Sequence, residues 1–248
     1  MSLNPWFWQY LKIKMRNETY IEFGHSNIKS FNAVHNINHK DLKELKRFVQ
    51  GKDDKFIFII TNETLRKDVE DFFKKEKIDH LELRKENIIK NLEYRYDTND
   101  IGIDRMLLCE YISRKGIADF VFISFGTAIT FNIVSNNVFK GGAIIPSAYK
   151  MYSSLYSLSG IRSKITKDMR YKRSGNHFSR NTQESVSYGI YELINSYIER
   201  YLNTFDRFEF FSTGGGIEHQ MILDNTKIKY DKELFYKAVI NGKYKWKD

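Results

Sequence analysis

The sequence has a single cysteine, no long apolar run and none of the common nucleotide-binding fingerprints, and each absence excludes a class of protein. Cys109 alone cannot form an intramolecular disulfide or a zinc site built from cysteines, which favours a reducing, cytoplasmic setting. No apolar run approaches the roughly 18 residues of a membrane-spanning helix, so we expect no membrane association. Neither the Walker pattern nor Gly-x-Gly-x-x-Gly is present, which disfavours ordinary phosphate-loop and Rossmann proteins.

The composition is that of a folded protein with a basic surface. Hydrophobic residues make up 42% and aromatic residues 15% of the 248 residues, enough for one large domain or two domains of about 100 to 150 residues. The net charge of +9 fits a nucleic-acid partner, an anionic small ligand or a lysine-rich proteome. The 40 basic residues are scattered among 31 acidic ones without a zinc-finger or basic-region pattern, so we do not expect nucleic acid.

The stretch "FVFISFGTAITFNI" at 120–133 repeats a pattern found near the start of the chain. Ile, Phe and Gly recur in register, as Ile21, Phe23 and Gly24 in the first copy and as Ile123, Phe125 and Gly126 in the second. Each copy predicts an apolar strand, a glycine turn with a hydroxyl residue and a second strand. Such a turn can admit an oxyanion, although each glycine on its own also fits a turn that only closes a hairpin. Two copies predict two lobes that face one cleft.

The remaining sequence alternates between strand and helix patterns, which predicts α/β lobes with mixed sheets. We expect an N-terminal extension at 1–18, a first lobe at 19–116 and a second lobe at 117–248. Residues 164–180 are polar, basic and without periodicity, and they predict a loop. Further small-residue turns, "KGGAIIP" and "STGGG", are each weak signals of an anion site.

The segment "YDTNDIGIDRMLL" places an acidic and a basic side chain, Asp104 and Arg105, directly before a predicted helix. In isolation, a structural interpretation of Asp104 and Arg105, as a helix cap and a surface ion pair, fits as well as a functional one. In the functional interpretation, Asp104 takes a proton from a substrate hydroxyl and Arg105 grips a substrate carboxylate.

The motifs "IEFGHSNIK", "GIDR", "FGTAITFN", "GGAIIP", "RNTQESVSYG" and "STGGG" occur in this order. Together they resemble the type III pantothenate kinases, over about 20–242. The resemblance implies two duplicated ribonuclease-H-like lobes with an interlobe nucleotide cleft, the actin-like ATPase fold. It also implies ATP-dependent phosphorylation of pantothenate, the first step of coenzyme A synthesis, with magnesium, a monovalent cation (potassium or ammonium) and a homodimer.

The resemblance also assigns roles to residues whose positions match the family's motifs. Asp104 matches the proposed catalytic base. The expected pantothenate contacts are Tyr96, Gly102, Ile103, Arg105 and Thr182, the last at the dimer interface. The expected ATP and phosphate contacts are Gly24, His25, Ser26, Lys29, Gly126, Thr127, Thr130, Gly214 and Gly215.

Several motif positions depart from the family's pattern. Glu22 replaces the usual Asp and is expected to bind magnesium through a longer side chain. Ser124 replaces the Asp associated with the monovalent cation, so we expect that site to be weakened. Asn132 stands where Asp is usual, and Ser147 replaces a glycine. These departures leave two alternatives open: a non-catalytic or regulatory relative with a degenerate ATP site, and a kinase for another hydroxy-acid.

Overall fold

The computed structural model describes residues 18–24, 28–32, 34–52, 54–166, 179–215 and 226–246. The strands are β1 (Glu18–Phe23), β2 (Ile28–Phe31), β3 (Asn36–His39), β4 (Lys55–Ile60), β5 (His80–Glu82), β6 (Glu93–Tyr94), β7 (Phe120–Phe125), β8 (Ala128–Ser135), β9 (Val138–Pro146), β10 (Glu209–Gly214) and β11 (Ile228–Tyr230). The helices are α1 (Leu42–Val49), α2 (Arg66–Glu76), α3 (Ile103–Ser113), α4 (Ala148–Ser157), α5 (Ser159–Arg162), α6 (Thr182–Thr204) and α7 (Leu234–Ile240). Two 3-10 turns occupy Glu63–Leu65 and Lys85–Asn87. Most of the loop predicted at 164–180 lies outside the described residues.

The chain forms two compact units that interleave along the sequence. The first comprises Met1–Lys90, Thr98–Tyr111 and Phe235–Asp248, and the second comprises Asn91–Asp97 and Ile112–Leu234. The sequence prediction placed a single boundary between the two lobes, after residue 116. No helix within the described ranges combines the length and the apolar character needed to cross a bilayer.

The two units contain the same sheet topology, which confirms the predicted repeat. The first sheet has the order β3-β2-β1-β4-β5, and the second has β9-β8-β7-β10-β11 with β6 added beside β9. In each sheet the first strand of the hairpin pairs antiparallel with the second strand, as β1 with β2 and β7 with β8. It pairs parallel with the later strand on its other side, as β1 with β4 and β7 with β10.

Each sheet buries apolar side chains against helices of its own unit. In the first unit, Leu45 and Val49 of α1 join Phe23 and Phe58 in one core cluster. α1 begins at Asp41, whose side chain accepts hydrogen bonds from the next turn's backbone N–H groups, as a helix N-cap does. In the second unit, α6 buries a stripe at four-residue spacing that packs in the core cluster of β7 and β8. These cores fix the hairpins that carry the predicted site residues.

Candidate functional site

The first hairpin places a carboxylate opposite a lysine. Glu22 on β1 pairs with Lys29 on β2, and Lys29 Nζ lies 3.9 Å from Glu22 Oε2. The Glu22 side chain is only 15% exposed. Burial raises the pKa of Glu22, while the charge of Lys29 lowers it and that of Asp104 raises it. Lys29 and Asp104 therefore both act electrostatically on Glu22 within the first unit.

The turn after Glu22 is described only in part. Gly24 directly follows β1, and the carbonyl of Phe23 accepts hydrogen bonds from the N–H groups of Thr61 and Asn62 after β4. The predicted phosphate contacts His25 and Ser26 lie outside the described residues.

The "GIDR" segment forms the start of α3. The N–H of Met106 donates to the carbonyl of Gly102 at 3.1 Å, which begins the helix. A Cβ atom added to Gly102 would lie 2.5 Å from Asp104 Oδ1, so the Asp104 carboxylate rests against the glycine. A carboxylate in the first turn of a helix is also favoured by the helix dipole.

Exposure distinguishes the residues of this segment. Asp104 is partly exposed, whereas Arg105 is 6% and Ile103 8% exposed. The Asp104 carboxylate can therefore meet a ligand more readily than the Arg105 guanidinium. The predicted contact between Arg105 and a substrate carboxylate stays a prediction.

Tyr236 is a neighbour of this site that the sequence did not reveal. Its ring centroid lies 5.9 Å from Lys29 Nζ and 4.6 Å from the ring centroid of Phe31. A cation at this distance from an aromatic face is attracted by the ring. Tyr236 belongs to α7, more than two hundred residues beyond Lys29, and carries no motif that would identify it.

In the second hairpin, hydroxyl side chains stand at the positions that Glu22 and Lys29 occupy in the first. Ser124 on β7 pairs with Thr130 on β8 and with Thr213 on β10. Residues paired across neighbouring strands share one face of a sheet, so three hydroxyl side chains lie in a row. Ser124 occupies the position in this unit that Glu22 occupies in the first.

Gly126 and Thr127 form an exposed turn after this strand. The N–H of Gly126 donates to the carbonyl of Ala128 at 3.1 Å. A Cβ atom on Gly126 would meet its nearest described neighbour at 3.7 Å, an ordinary contact. The described part of the chain therefore gives no steric reason for glycine here, and the phosphate contact at Gly126 stays a prediction.

Gly214 is required by packing, in contrast to Gly126. Its φ is +117°, and a Cβ atom there would lie 2.0 Å from the carbonyl oxygen of Phe125. The Tyr230 hydroxyl donates to the carbonyl of Gly214 at 2.7 Å. Gly215 is exposed, with no described atom within 4 Å of an added Cβ. Residues 216–225, which follow this turn, lie outside the described residues.

Asn132 has a hydrogen-bonding role that an aspartate could not fill. The side chain is fully buried, and its Nδ2 donates to the carbonyl of Phe122 and to Thr130 Oγ1, both at 3.2 Å. A carboxylate has no N–H to donate to a carbonyl. The asparagine is therefore built into the second sheet.

Tyr96 and Thr182, the predicted pantothenate contacts of the second unit, occupy different elements. The Tyr96 ring lies over Gly141, where a Cβ atom would be 3.1 Å from a ring carbon, and it packs edge-to-face on Phe139. Tyr96 is 39% exposed. Thr182 is the first residue of α6, which is capped by Asn181.

Comparisons with known proteins identify the family. The family model of type III pantothenate kinases matches residues 16–204. The chain belongs to the type III pantothenate kinase family. A type III pantothenate kinase of Pelagibacter ubique is 30% identical over 180 residues, which are 69% of each chain. One from Campylobacter jejuni (strain RM1221) is 28% identical over 151 residues, which are 60% of this chain and 63% of the relative.

A solved structure agrees with the fold. A Campylobacter jejuni protein described as a Baf family transcriptional activator superposes with a TM-score of 0.62 at 22% identity, over 90% of this chain and 96% of that one. Together with the repeated sheet topology, this confirms the predicted α/β class of duplicated ribonuclease-H-like lobes, the actin-like ATPase fold.

The carboxylates of the first unit suit the divalent ion that kinases of this family use with ATP. Mg²⁺ is commonly held by one or two carboxylates together with waters and substrate phosphates. Glu22 and Asp104 supply two such groups, and their mutual repulsion would be relieved by a cation between or beside them. The described residues contain no cluster of three or more His, Cys, Asp or Glu that could hold a metal by themselves.

Proposed function

We propose that this protein transfers a phosphoryl group from ATP to the terminal hydroxyl of pantothenate. The observation that carries the proposal is the grouping of Glu22, Lys29 and Asp104, with Asp104 partly exposed in the first turn of α3. A phosphoryl transfer needs positioned charges more than covalent chemistry. This grouping supplies a base, a cation and a second carboxylate in one unit.

In the proposed reaction Asp104 accepts the proton of the substrate hydroxyl as its oxygen bonds to the γ-phosphorus of ATP, while the bond from that phosphorus to the β,γ-bridging oxygen breaks and ADP leaves. Lys29 stabilises negative charge on the phosphates, and Glu22 and Asp104 are the residues that would hold magnesium. When bound, the ion neutralises charge that develops on the transferred group. Arg105 holds the substrate carboxylate.

The remaining contacts in the proposal follow the family's motifs. Tyr96, Gly102, Ile103 and Thr182 complete the pantothenate site. The ATP and phosphate contacts in the proposal are Gly24, His25, Ser26, Gly126, Thr127, Thr130, Gly214 and Gly215. Ser124 offers a hydroxyl where a carboxylate would hold a monovalent cation, so potassium or ammonium should have a weak effect.

The direct test is an ADP-release assay with pantothenate, ATP and magnesium, followed by mass spectrometry of the product. We expect a product heavier than pantothenate by one phosphoryl group, with less than a tenfold rate change between sodium and potassium salts. ADP release that is independent of pantothenate would contradict the proposed acceptor. A strict potassium requirement would contradict the role given to Ser124.

A non-catalytic role is the second candidate, because burial raises the pKa of Glu22 and so opposes the ionised form that binds magnesium. Calorimetry distinguishes the two candidates. A catalytic site binds ATP in the presence of magnesium, and the binding weakens when magnesium is removed. Absence of ATP binding under both conditions would favour the second candidate.

We further propose a homodimer that forms through the second unit. This unit exposes Ile144 on β9, Tyr149 on α4 and Leu193 on α6, each about 60% accessible, and exposed apolar side chains mark association surfaces when they are contiguous. Light scattering at micromolar concentration should give twice the chain mass of 29.5 kDa. A particle of 29.5 kDa alone would contradict the dimer.

A further inference from the structure

Lys85 binds the backbone of the segment that precedes the "GIDR" motif. Its Nζ donates to the carbonyl oxygens of Thr98 at 2.9 Å, Asn99 at 2.8 Å and Ile101 at 3.0 Å. An ammonium group has three N–H donors, so these contacts match its full donor capacity. All three acceptors lie within the four residues immediately before Gly102.

The backbone that carries Lys85 is itself held in place. Lys85 begins a 3-10 turn in which Asn87 Oδ1 accepts from the N–H of Arg84 at 2.8 Å. The Asn87 side chain donates to the carbonyl of Lys245 at 3.0 Å, and the N–H of Lys245 donates to the carbonyl of Asn87 at 2.7 Å. The ammonium group therefore extends from a turn that is fixed on two sides.

The contacts of Lys85 lead directly to Asp104. The carbonyl of Ile101 belongs to the peptide that joins Ile101 to Gly102, so the hydrogen bond from Lys85 restrains that peptide plane. The carbonyl of Gly102 accepts the first backbone hydrogen bond of α3, and the Asp104 carboxylate rests against Gly102. A shift of residues 98–101 would therefore move the start of α3 and the carboxylate on it.

We propose that Lys85 is a positioning residue for Asp104 and that its ammonium serves as a built-in cation for residues 98–101. This inference rests on the proposed function, in which Asp104 is the base. Several carbonyl oxygens around one cation are also how a protein backbone binds free potassium or ammonium. Removal of the lysine amine should leave a group of carbonyls that can accept a free ammonium ion.

The test compares Lys85→Met with the parent protein in the pantothenate-dependent assay. We expect kcat/KM for pantothenate to fall at least tenfold, because a base misplaced by about 1 Å can cost on the order of a hundredfold. The KM for ATP should stay within twofold. Ammonium chloride, compared with sodium chloride at equal ionic strength, should recover at least a third of the loss after correction for its effect on the parent.

Two controls separate positioning from general stability. Lys67→Met makes the same change at an exposed position of α2 and should leave all kinetic parameters unchanged. Hydrogen exchange of the ligand-free proteins should show faster exchange at 98–106 in Lys85→Met, reversed by ammonium, with the rest of the first unit unchanged.

The outcomes distinguish this inference from the proposed function. Parent-like kinetics for Lys85→Met would overturn the positioning role. A fall in kcat/KM that ammonium does not reverse, together with faster exchange throughout the first unit, would also overturn it, because that pattern shows a general structural role. If the parent itself does not phosphorylate pantothenate, the proposed function fails, and ammonium-reversible exchange at 98–106 still decides whether Lys85 acts as the internal cation.

Discussion

The substitution Gly102→Ala, which adds a single methyl group, should lower the activity without lowering the stability. Gly102 is exposed, and its φ lies outside the left-handed region that only glycine adopts readily, since no positive φ occurs there. Alanine can therefore take the native backbone conformation. The added Cβ atom, however, would lie 2.5 Å from Asp104 Oδ1, so the carboxylate has to move.

The contact distance sets the smallest movement of the Asp104 carboxylate. Cβ contacts in proteins are essentially never shorter than 3.0 Å, so Oδ1 must retreat by at least 3.0 − 2.5 = 0.5 Å. Displacements approaching 1 Å in a catalytic site can cost on the order of a hundredfold in rate. We expect kcat for Gly102→Ala to fall by about 10-fold to 100-fold, or about 1.4 to 2.7 kcal/mol of activation free energy.

The free energy of unfolding of Gly102→Ala should change little, and it should increase although the activity falls. Replacing a glycine by alanine at a compatible conformation raises the free energy of unfolding by about 0.4 to 1 kcal/mol, because the unfolded chain loses freedom. For a chain of this size that corresponds to a rise of a few degrees in Tm. The displaced carboxylate offsets part of this gain, and the net change should stay within about 1 kcal/mol.

The assay measures kcat and KM for pantothenate together with thermal unfolding of the same preparations. Gly160→Ala is a matched control, because no described atom lies within 4 Å of its added Cβ, and it should retain the parent kcat. A Gly102→Ala protein with kcat within twofold of the parent would refute the reasoning. A fall in Tm of more than about 5 °C would contradict the claim that alanine can adopt the native backbone conformation at this position.

Three further predictions concern side chains of both units. Asp104→Asn should abolish transfer with little change in pantothenate affinity by calorimetry, whereas Arg105→Ala should chiefly weaken that affinity; equal losses of affinity would reject this division. Because the folded-state pKa of Glu22 is raised from 4.5, its ionisation destabilises the fold as pH rises from that value through the raised pKa. Without magnesium or nucleotide, the free energy of unfolding of Glu22→Gln should therefore rise relative to that of the parent as the pH rises. A difference between the two proteins that does not depend on pH would contradict this. Asn132→Asp should lower the free energy of unfolding by about 1 to 3 kcal/mol in urea, because its amide donates to the buried carbonyl of Phe122; an unchanged value would contradict that role.

The sequence predicted the central strands well for a physical reason. β1 and β7 are central strands whose residues are mostly buried on both faces of the sheet, and strands of this kind read as nearly continuous apolar runs. Their Ile and Phe residues therefore made the repeat visible. The glycine turns and the "GIDR" segment were readable because they are local motifs within a few residues of one another.

Short edge strands and distant contacts could not be read in the same way. β3 has the sequence "NINH" with three of its four residues exposed, and β6 has only two residues. Neither carries the alternation that marks a strand. Tyr236 lies near Lys29 only because the first unit folds, since the two residues are far apart in the sequence. Lys85 contacts backbone carbonyl groups, which no side-chain pattern marks. Backbone acceptors are the same for every residue type, so sequence patterns cannot identify such a contact.

The duplicated hairpins differ in the charge that their equivalent positions carry. At equivalent positions the first sheet carries Glu22 and Lys29, whereas the second carries Ser124 and Thr130. A buried carboxylate with a lysine beside it can respond to a metal ion or a phosphate with a change in charge. Neutral hydroxyl groups can only donate and accept hydrogen bonds at neutral pH. In the proposed reaction, these differences therefore give the cation and proton chemistry to the first unit, and the second unit binds a phosphate by hydrogen bonds from its turn.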